Sequence, residues 1–238
     1  MRWFVRILIA ISVLVGAAWV TINHYFPSWP FRYKVTVEVQ TPDGLKSGSS
    51  VMEANYGLAF IGYYLSSALF TSTFEGEAVF VDLGRGKNLV LTLRSEGSKS
   101  SNATSASLLP VYVFDLPWFR GSREATLTGM PGAIERARKA GPTDIPLDIL
   151  PLMATLENPL DRASARVVDP ANLSATFGDG YELARITVAT SSEPINRDLS
   201  LKLTFLEPWP QPSVNVRPHY SSYRTYELPT SYYRRRTR

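Results

Sequence analysis

The chain contains no cysteine and only two histidines, His24 and His219. Without cysteine there can be no disulfide and no thiolate metal site. Residues 35–214 hold neither histidine nor cysteine. This removes Ser-His-Asp and Cys-His catalysis, histidine zinc sites and haem ligation from that stretch. Charge is also sparse, at 19% of residues, and two long stretches lack it altogether. One runs from Ile7 to Phe31, the other from Ala54 to Phe74.

What remains is enough for a folded protein. The chain has 238 residues, 45% of them hydrophobic, which fits one domain with extras or two small domains. The net charge of +4 is unevenly spread. Residues 1–34 carry +4 and residues 215–238 carry +5, so the residues between them sum to −5. A basic pI that belongs to the two ends argues against a general nucleic-acid binder.

From Trp3 to Ile22 the only charge is Arg6. About 20 apolar residues match a hydrocarbon core about 30 Å thick. Trp3 and Phe4 mark one edge of this segment, and Trp19, Tyr25, Phe26 and Trp29 the other, as in an aromatic belt. Pro27 and Pro30 then stop the helix. The expectation is one uncleaved transmembrane anchor over residues 1–30. A cleaved signal peptide is the rival, with Gly16 and Ala18 as the small residues before the cut. A buried core helix is the plainest alternative. Arg2 and Arg6 favour a cytoplasmic N-terminus, although Arg32 and Lys34 follow the segment. The bulk of the chain is thus expected outside the cytoplasm, in the periplasm if the source is a Gram-negative bacterium.

Residues 31–206 read as an α+β module, mostly antiparallel β meander and hairpins with a few short helices. Lys34–Gln40 alternates valines with polar residues, the pattern of a half-buried strand. Thr41-Pro42-Asp43-Gly44 is a turn, and Ser49–Tyr56 returns from it. Glu77–Leu83 and Asn88–Arg94 form a second hairpin across Gly84-Arg85-Gly86-Lys87. The four strands together predict a meander with one solvated face. The uncharged Ala54–Phe74 reads as a buried or amphipathic helix, with a loop dipping into the bilayer as the sharper alternative.

Glu96–Ser107 reads as a mobile loop, and Leu108–Phe114 is ambiguous in type. Gly132–Ala140 reads as a helix with Pro131 near its first position. Asp169-Pro170 caps a short helix ending at Gly178. Tyr181–Thr190 and Leu199–Leu206 form a further hairpin. Residues 207–238 leave the fold as a Pro-rich and then Tyr/Arg-rich disordered tail.

Short motifs offer little chemistry. Lys46-Ser47-Gly48 is similar to the K-[ST]-G element of penicillin-binding enzymes, but no S-x-x-K or S-D-N accompanies it. Gly84-Arg85-Gly86-Lys87 lacks phosphate-loop spacing. The acid pairs Asp144/Asp148 and Glu75/Glu77 could share a site, but Pro146 argues against a helix that would align the first pair, and solvated surface acids are the preferred reading. In the tail, Tyr232 and Tyr233 adjoin Arg234, Arg235, Arg236 and Arg238, with Arg224 upstream. Arginine among aromatic rings suits anionic headgroups or acidic polymers, while a merely solubilising end is the alternative.

Three stretches occur together: Thr41–Gly44 with Ser47–Ser50, Gly76–Val79 with Val81–Gly84, and Val167–Pro170 with Ala175–Gly178. In these the chain, over about residues 34–206, resembles a group of uncharacterised bacterial proteins with an N-terminal hydrophobic segment. The resemblance implies a shared fold and carries no activity. The expectation is a membrane-anchored envelope protein acting as a binding or assembly module, without cofactor or metal. Its partners would be membrane lipid, another envelope protein or an anionic polymer, and not nucleic acid. A membrane-tethered hydrolase using carboxylates or a serine, and a secreted soluble protein, are the alternatives.

Overall fold

The computed structural model describes residues 2–58, 70–94, 106–119, 121–206 and 234–236. It is an α+β protein with two antiparallel sheets, preceded by an apolar helix, α1 (Arg2–Tyr25).

The longest feature is a hairpin of β1 (Ser28–Thr41) and β2 (Gly44–Leu58), in register from Ser28↔Gly57 to Thr41↔Gly44. Phe31, Tyr33, Val35, Val37 and Val39 are buried, while Arg32, Lys34, Thr36 and Glu38 alternate with them on a partly open face. Thr41 Oγ1 accepts the Asp43 N–H and donates to the Gly44 carbonyl, and Gly44 takes a positive φ of 104°. The period-2 pattern and the turn chemistry are both as the sequence predicts.

β3 (Phe70–Glu77), a strand the sequence does not predict, continues the sheet beside β2, so the meander runs through β1, β2 and β3 and not through the four expected strands. β4 (Val79–Gly84) and β5 (Lys87–Leu91) do not extend it. The chain changes sheet at the single residue Ala78, and β4 and β5 join β7 (Met153–Leu156) and β8 (Ala165–Val168) in a second sheet, ordered β4-β5-β7-β8. The first sheet is completed by β6 (Thr143–Asp144), β9 (Glu182–Thr190) and β10 (Arg234–Arg236), in the order β10-β3-β2-β1-β9-β6.

The sheets approach closely where β2 meets β4. A Cβ on Gly48 would lie 2.2 Å from the Phe80 carbonyl oxygen. Only glycine lets the two backbones touch there. The β4–β5 turn places Arg85 and Gly86 at φ 54° and 75°, the two positive values of a tight hairpin turn. Arg85 also pairs with Asp43, tying the two hairpin tips together.

One core fills the space between the sheets. It includes α2 (Leu109–Val113) and the inner face of α3 (Arg123–Ala140), through Met130, Ala133, Ile134 and Ala137. A smaller cluster lies on the far side of the second sheet, where Val90 and Leu156 meet Leu199, Leu203 and Leu206. The inner strands β5 and β7 are therefore buried on both faces, against the expectation of a solvated one, while the edge strands keep Asp82, Arg166 and Val167 exposed.

Other expectations need correction. Ala54–Phe74 is not a helix at its described ends: Ala54–Leu58 completes β2 and Phe70–Phe74 opens β3, while 59–69 lie outside the described residues. α3 begins at Arg123, capped by Ser122 Oγ, and carries Pro131 in its interior on the exposed side. Leu199–Leu206 does not pair with β9. It holds a short helix, α5 (Leu199–Lys202), following α4 (Ser174–Phe177), and β9 pairs with β1 instead. Asp169 accepts the Ala171 N–H in the turn before α4, and Asn172 Oδ1 accepts the Ala175 N–H at its start. Of the expected mobile loop, 96–105 lie outside the described residues, and Ala106 and Ser107 are buried in a 3-10 turn. Residues 207–233 also lie outside them.

Tyr33 and Tyr56 are fully buried and donate to consecutive carbonyls of that turn, Ala106 and Ser107, at 2.5 and 2.7 Å. Burial pushes both phenols well above their ordinary range, and Tyr33 adds to the effect at Tyr56. In the unfolded chain they ionise near pH 10, so the folded state holds more protons above that pH. Stability should be unaffected by these groups below about pH 10 and fall above it. Their tyrosinate absorbance should appear only with unfolding. Alkaline titration followed by absorbance and circular dichroism checks this, with Tyr33→Phe/Tyr56→Phe as the reference. In denaturant melts, Gly48→Ala should cost about 3 kcal/mol, against about 0.5 kcal/mol or less for the exposed neighbour Ser47→Ala.

Candidate functional site

The strongest concentration of polar groups lies on the outer face of the first sheet, around the edge of β3. Glu75 and Glu77 stand two residues apart on β3 and so share a face. Gly76 between them lies against Met52, whose side chain a Cβ there would meet at 2.8 Å. Glu77 is 1% exposed. Its carboxylate accepts the Leu199 N–H at 2.9 Å, and Glu75 pairs with Arg197 at 2.7 Å.

These contacts belong to a strap, residues 191–199, laid across the strands. Ser191 donates its N–H to the Arg32 carbonyl, and Glu193 pairs with Lys34 at 3.0 Å. Arg32 reaches Glu53 at 2.8 Å and the Glu193 carbonyl at 3.3 Å. Asn196 has a more specific place. The β2–β3 ladder ends at Glu53↔Glu75 although β3 runs on to Glu77, so the β2 backbone at Val51 has no ladder partner on that side. Asn196 supplies the missing partner: its side-chain Oδ1 accepts the Val51 N–H at 2.7 Å, and its main-chain N–H donates to the Val51 carbonyl at 3.3 Å. A buried N–H without such a partner costs about 1–3 kcal/mol.

The free edge of β3 is covered by β10. Arg234 lies opposite Glu77, Arg235 opposite Gly76, and Arg236 opposite Glu75. Two sets of residues singled out separately from sequence, the Glu75/Glu77 pair and the basic cluster, thus become neighbours in register. Arg224, Tyr232, Tyr233 and Arg238 lie outside the described residues, as does His219. Asp144 is held by Arg185 at 2.6 Å, whereas Asp148 sits in a separate 3-10 turn, Leu147–Ile149. Lys46-Ser47-Gly48 is a stretch of β2, and Gly84-Arg85-Gly86-Lys87 is the β4–β5 turn.

Beneath the strap is a crevice of about 10 Å³, lined in part by Ser50, Glu77, Asn196, Asp198 and Lys202. That is room for about one water molecule, far short of the about 300–1,000 Å³ of a small-molecule site. Ser50 Oγ donates to the Glu77 main-chain carbonyl at 2.8 Å, so its proton is not directed at a base. Among the described residues no group of three or more histidine or carboxylate side chains is placed to hold a metal ion. The arrangement clamps chain segments together through ion pairs and backbone pairing.

Sequence reading missed the strap. Asn196 stands in an irregular stretch with no periodicity to mark it. The comparable Asn88, which exchanges two hydrogen bonds with the Leu156 backbone at 2.7 and 2.9 Å, does leave a signal as a lone amide in an apolar strand. Compared with protein-family models, curated proteins and solved structures, the chain matches none.

If Asn196 closes the β2 ladder, Asn196→Ala should lower stability by about 1–3 kcal/mol. Glu193→Gln, at an exposed ion pair, should change it by less than about 1 kcal/mol. Denaturant melts of the two variants check the contrast.

Proposed function

We propose that the protein is a single-pass, membrane-anchored envelope module whose bulk lies outside the cytoplasm and which binds or assembles rather than catalyses. The observation that carries this reading is α1. Its segment Trp3–Ile22 is long and apolar enough to cross a membrane, and none of it is buried in the fold. Each large aliphatic side chain left in water forgoes about 1.5–3 kcal/mol of burial, and Leu8, Leu14 and Val20 are all more than 60% exposed. The one hydroxyl near the end of the span, Thr21, bonds back to the Ala17 carbonyl at 2.8 Å. The cations that follow the helix, Arg32 and Lys34, are paired with Glu53 and Glu193. Arg2 and Arg6 precede it, which supports an N-terminus on the cytoplasmic side.

Partners consistent with this placement are membrane lipid, a neighbouring envelope protein or an anionic polymer. The basic tail residues Arg224, Arg234–Arg236 and Arg238, with Tyr232 and Tyr233, are the proposed contact. Pairing of β10 with β3 engages the backbone of Arg234–Arg236 and holds that part of the tail beside the module. The hydrolase alternative draws no support from the acids, since Glu75, Asp144, Glu53 and Glu193 are engaged in ion pairs.

Alkaline carbonate extraction with N-terminal sequencing tests the anchor. The expected result is a membrane pellet whose protein still carries the segment Trp3–Ile22. A soluble protein beginning at Trp19 would replace the anchor with a cleaved signal.

A further inference from the structure

We propose that the end of the module where α1 enters β1 is itself a membrane-contact surface, with Trp29, Phe70, Phe119 and Arg123 held in the phospholipid headgroup layer. This inference rests on the anchored reading of α1.

The connection leaves little freedom. α1 ends at Tyr25 and β1 begins at Ser28, so only Phe26 and Pro27 intervene. Both are already engaged: the Phe26 N–H donates to the Ile22 carbonyl at 2.8 Å, and the Pro27 carbonyl accepts from Leu58 at 3.2 Å. Arg123, the first residue of α3, donates to the Tyr25 carbonyl at the C-terminal end of α1. Its guanidinium lies 6.0 and 5.6 Å from the ring centres of Tyr25 and Phe26. The helix is thus fastened to the module at two points, through β2 and through α3.

Height follows from the same geometry. Phe26, whose N–H still bonds to Ile22, lies about 6 Å beyond Ile22 along the helix. The polar layer on each side of a bilayer is about 5–7 Å thick. The helix end at Phe26 therefore falls inside that layer, and β1 starts two residues beyond it. Ser28 is in register with Gly57, and Gly57 with Thr71, so the ends of β2 and β3 stand at the same level.

The residues found there suit this zone. Trp29, Phe70 and Phe119 are partly exposed. Phe70 and Phe119 flank the buried Trp118 at 6.0 and 4.9 Å between ring centres, and the Trp118 indole donates to the Gly57 carbonyl. Trp29, with an indole N–H at its edge, favours the headgroup region; Phe70 and Phe119 add apolar rings that suit the boundary with the acyl chains, and the Arg123 guanidinium beside them suits lipid phosphate. The opposite end of the hairpin, at Pro42 and Asp43, is polar and lies about 40 Å along the strands.

The absence of native cysteine makes single-cysteine labelling direct. Val13→Cys in α1, Thr71→Cys at the proposed surface and Leu45→Cys near the far tip would each carry a fluorophore. Ser72→Cys serves as a second probe of the same surface. The full chain is reconstituted in phosphatidylcholine/phosphatidylglycerol vesicles containing lipids spin-labelled either on the headgroup or deep in the acyl chain. Deep quenching at Val13, with headgroup quenching at Thr71 and Ser72 several-fold above that at Leu45, is the expected result. Deep quenching at Val13 with Thr71 and Ser72 no more quenched than Leu45 overturns the surface while leaving the anchor standing. No quenching at Val13 overturns the anchored reading, and the surface with it.

Discussion

The register of β1 with β2, unbroken from Ser28↔Gly57 to Thr41↔Gly44, is the interaction on which the rest of the molecule hangs. One edge of this hairpin receives β9 and the other receives β3, while its inner face supplies Phe31, Tyr33, Val35, Val37 and Val39 to the core. Its near end continues, through two residues, into α1. Its far tip is tied by Asp43 to Arg85 of the second sheet. A spine of this kind converts a local connection into a global one, because whatever orients the helix also orients the sheet.

The spine creates a difficulty that polar side chains resolve. The β2–β3 ladder ends at Glu53↔Glu75, before β3 itself ends, and a buried backbone group of β2 beyond that point cannot be left without a partner. Asn196 fills that gap, as Asn88 does between β5 and the end of β7. Tyr33 and Tyr56 perform a related task, binding the carbonyls of the turn at Ala106–Leu108 where the chain returns to the core. Asn88 supplies donor and acceptor from one side-chain amide, whereas Asn196 joins a side-chain acceptor to its main-chain donor, and either pair can stand in for a strand. A phenol has a donor at the end of a long rigid ring, and so can reach across the core to a loop.

The strands and turns were legible wherever one face is wet and the other dry. Val35, Val37 and Val39 alternate, Thr41–Gly44 carries its own turn chemistry, and Arg85-Gly86 sits at a tight hairpin. The change of sheet at Ala78 was not legible, because Glu77–Leu83 alternates across the corner as it would along one strand. Ala54–Phe74 misled because absence of charge is shared by buried helices and by strand ends entering an aromatic cluster. Pro131 misled because proline favours a first turn, yet here its side lies exposed in the interior of α3. Leu199–Leu206 alternates like a strand but folds as a helical turn over Val90 and Leu156. The neighbourhood of the acidic pair and the basic cluster depends on a contact across more than 150 residues, which no local pattern encodes.

In the proposed anchored state these features add up to a sheet fixed rigidly to a membrane helix, presenting a polar strap and a basic strand away from its lipid-facing end. The central claim is the rigidity of that junction. Pulsed electron paramagnetic resonance between nitroxides at Val13→Cys and Ser47→Cys, in bilayers, measures it directly. A flexible Gly-Ser insertion between Phe26 and Pro27 gives the reference for a free pivot. The account predicts a single narrow distance distribution for the native junction and a broad one for the insertion. A native distribution as broad as that of the insertion would contradict it.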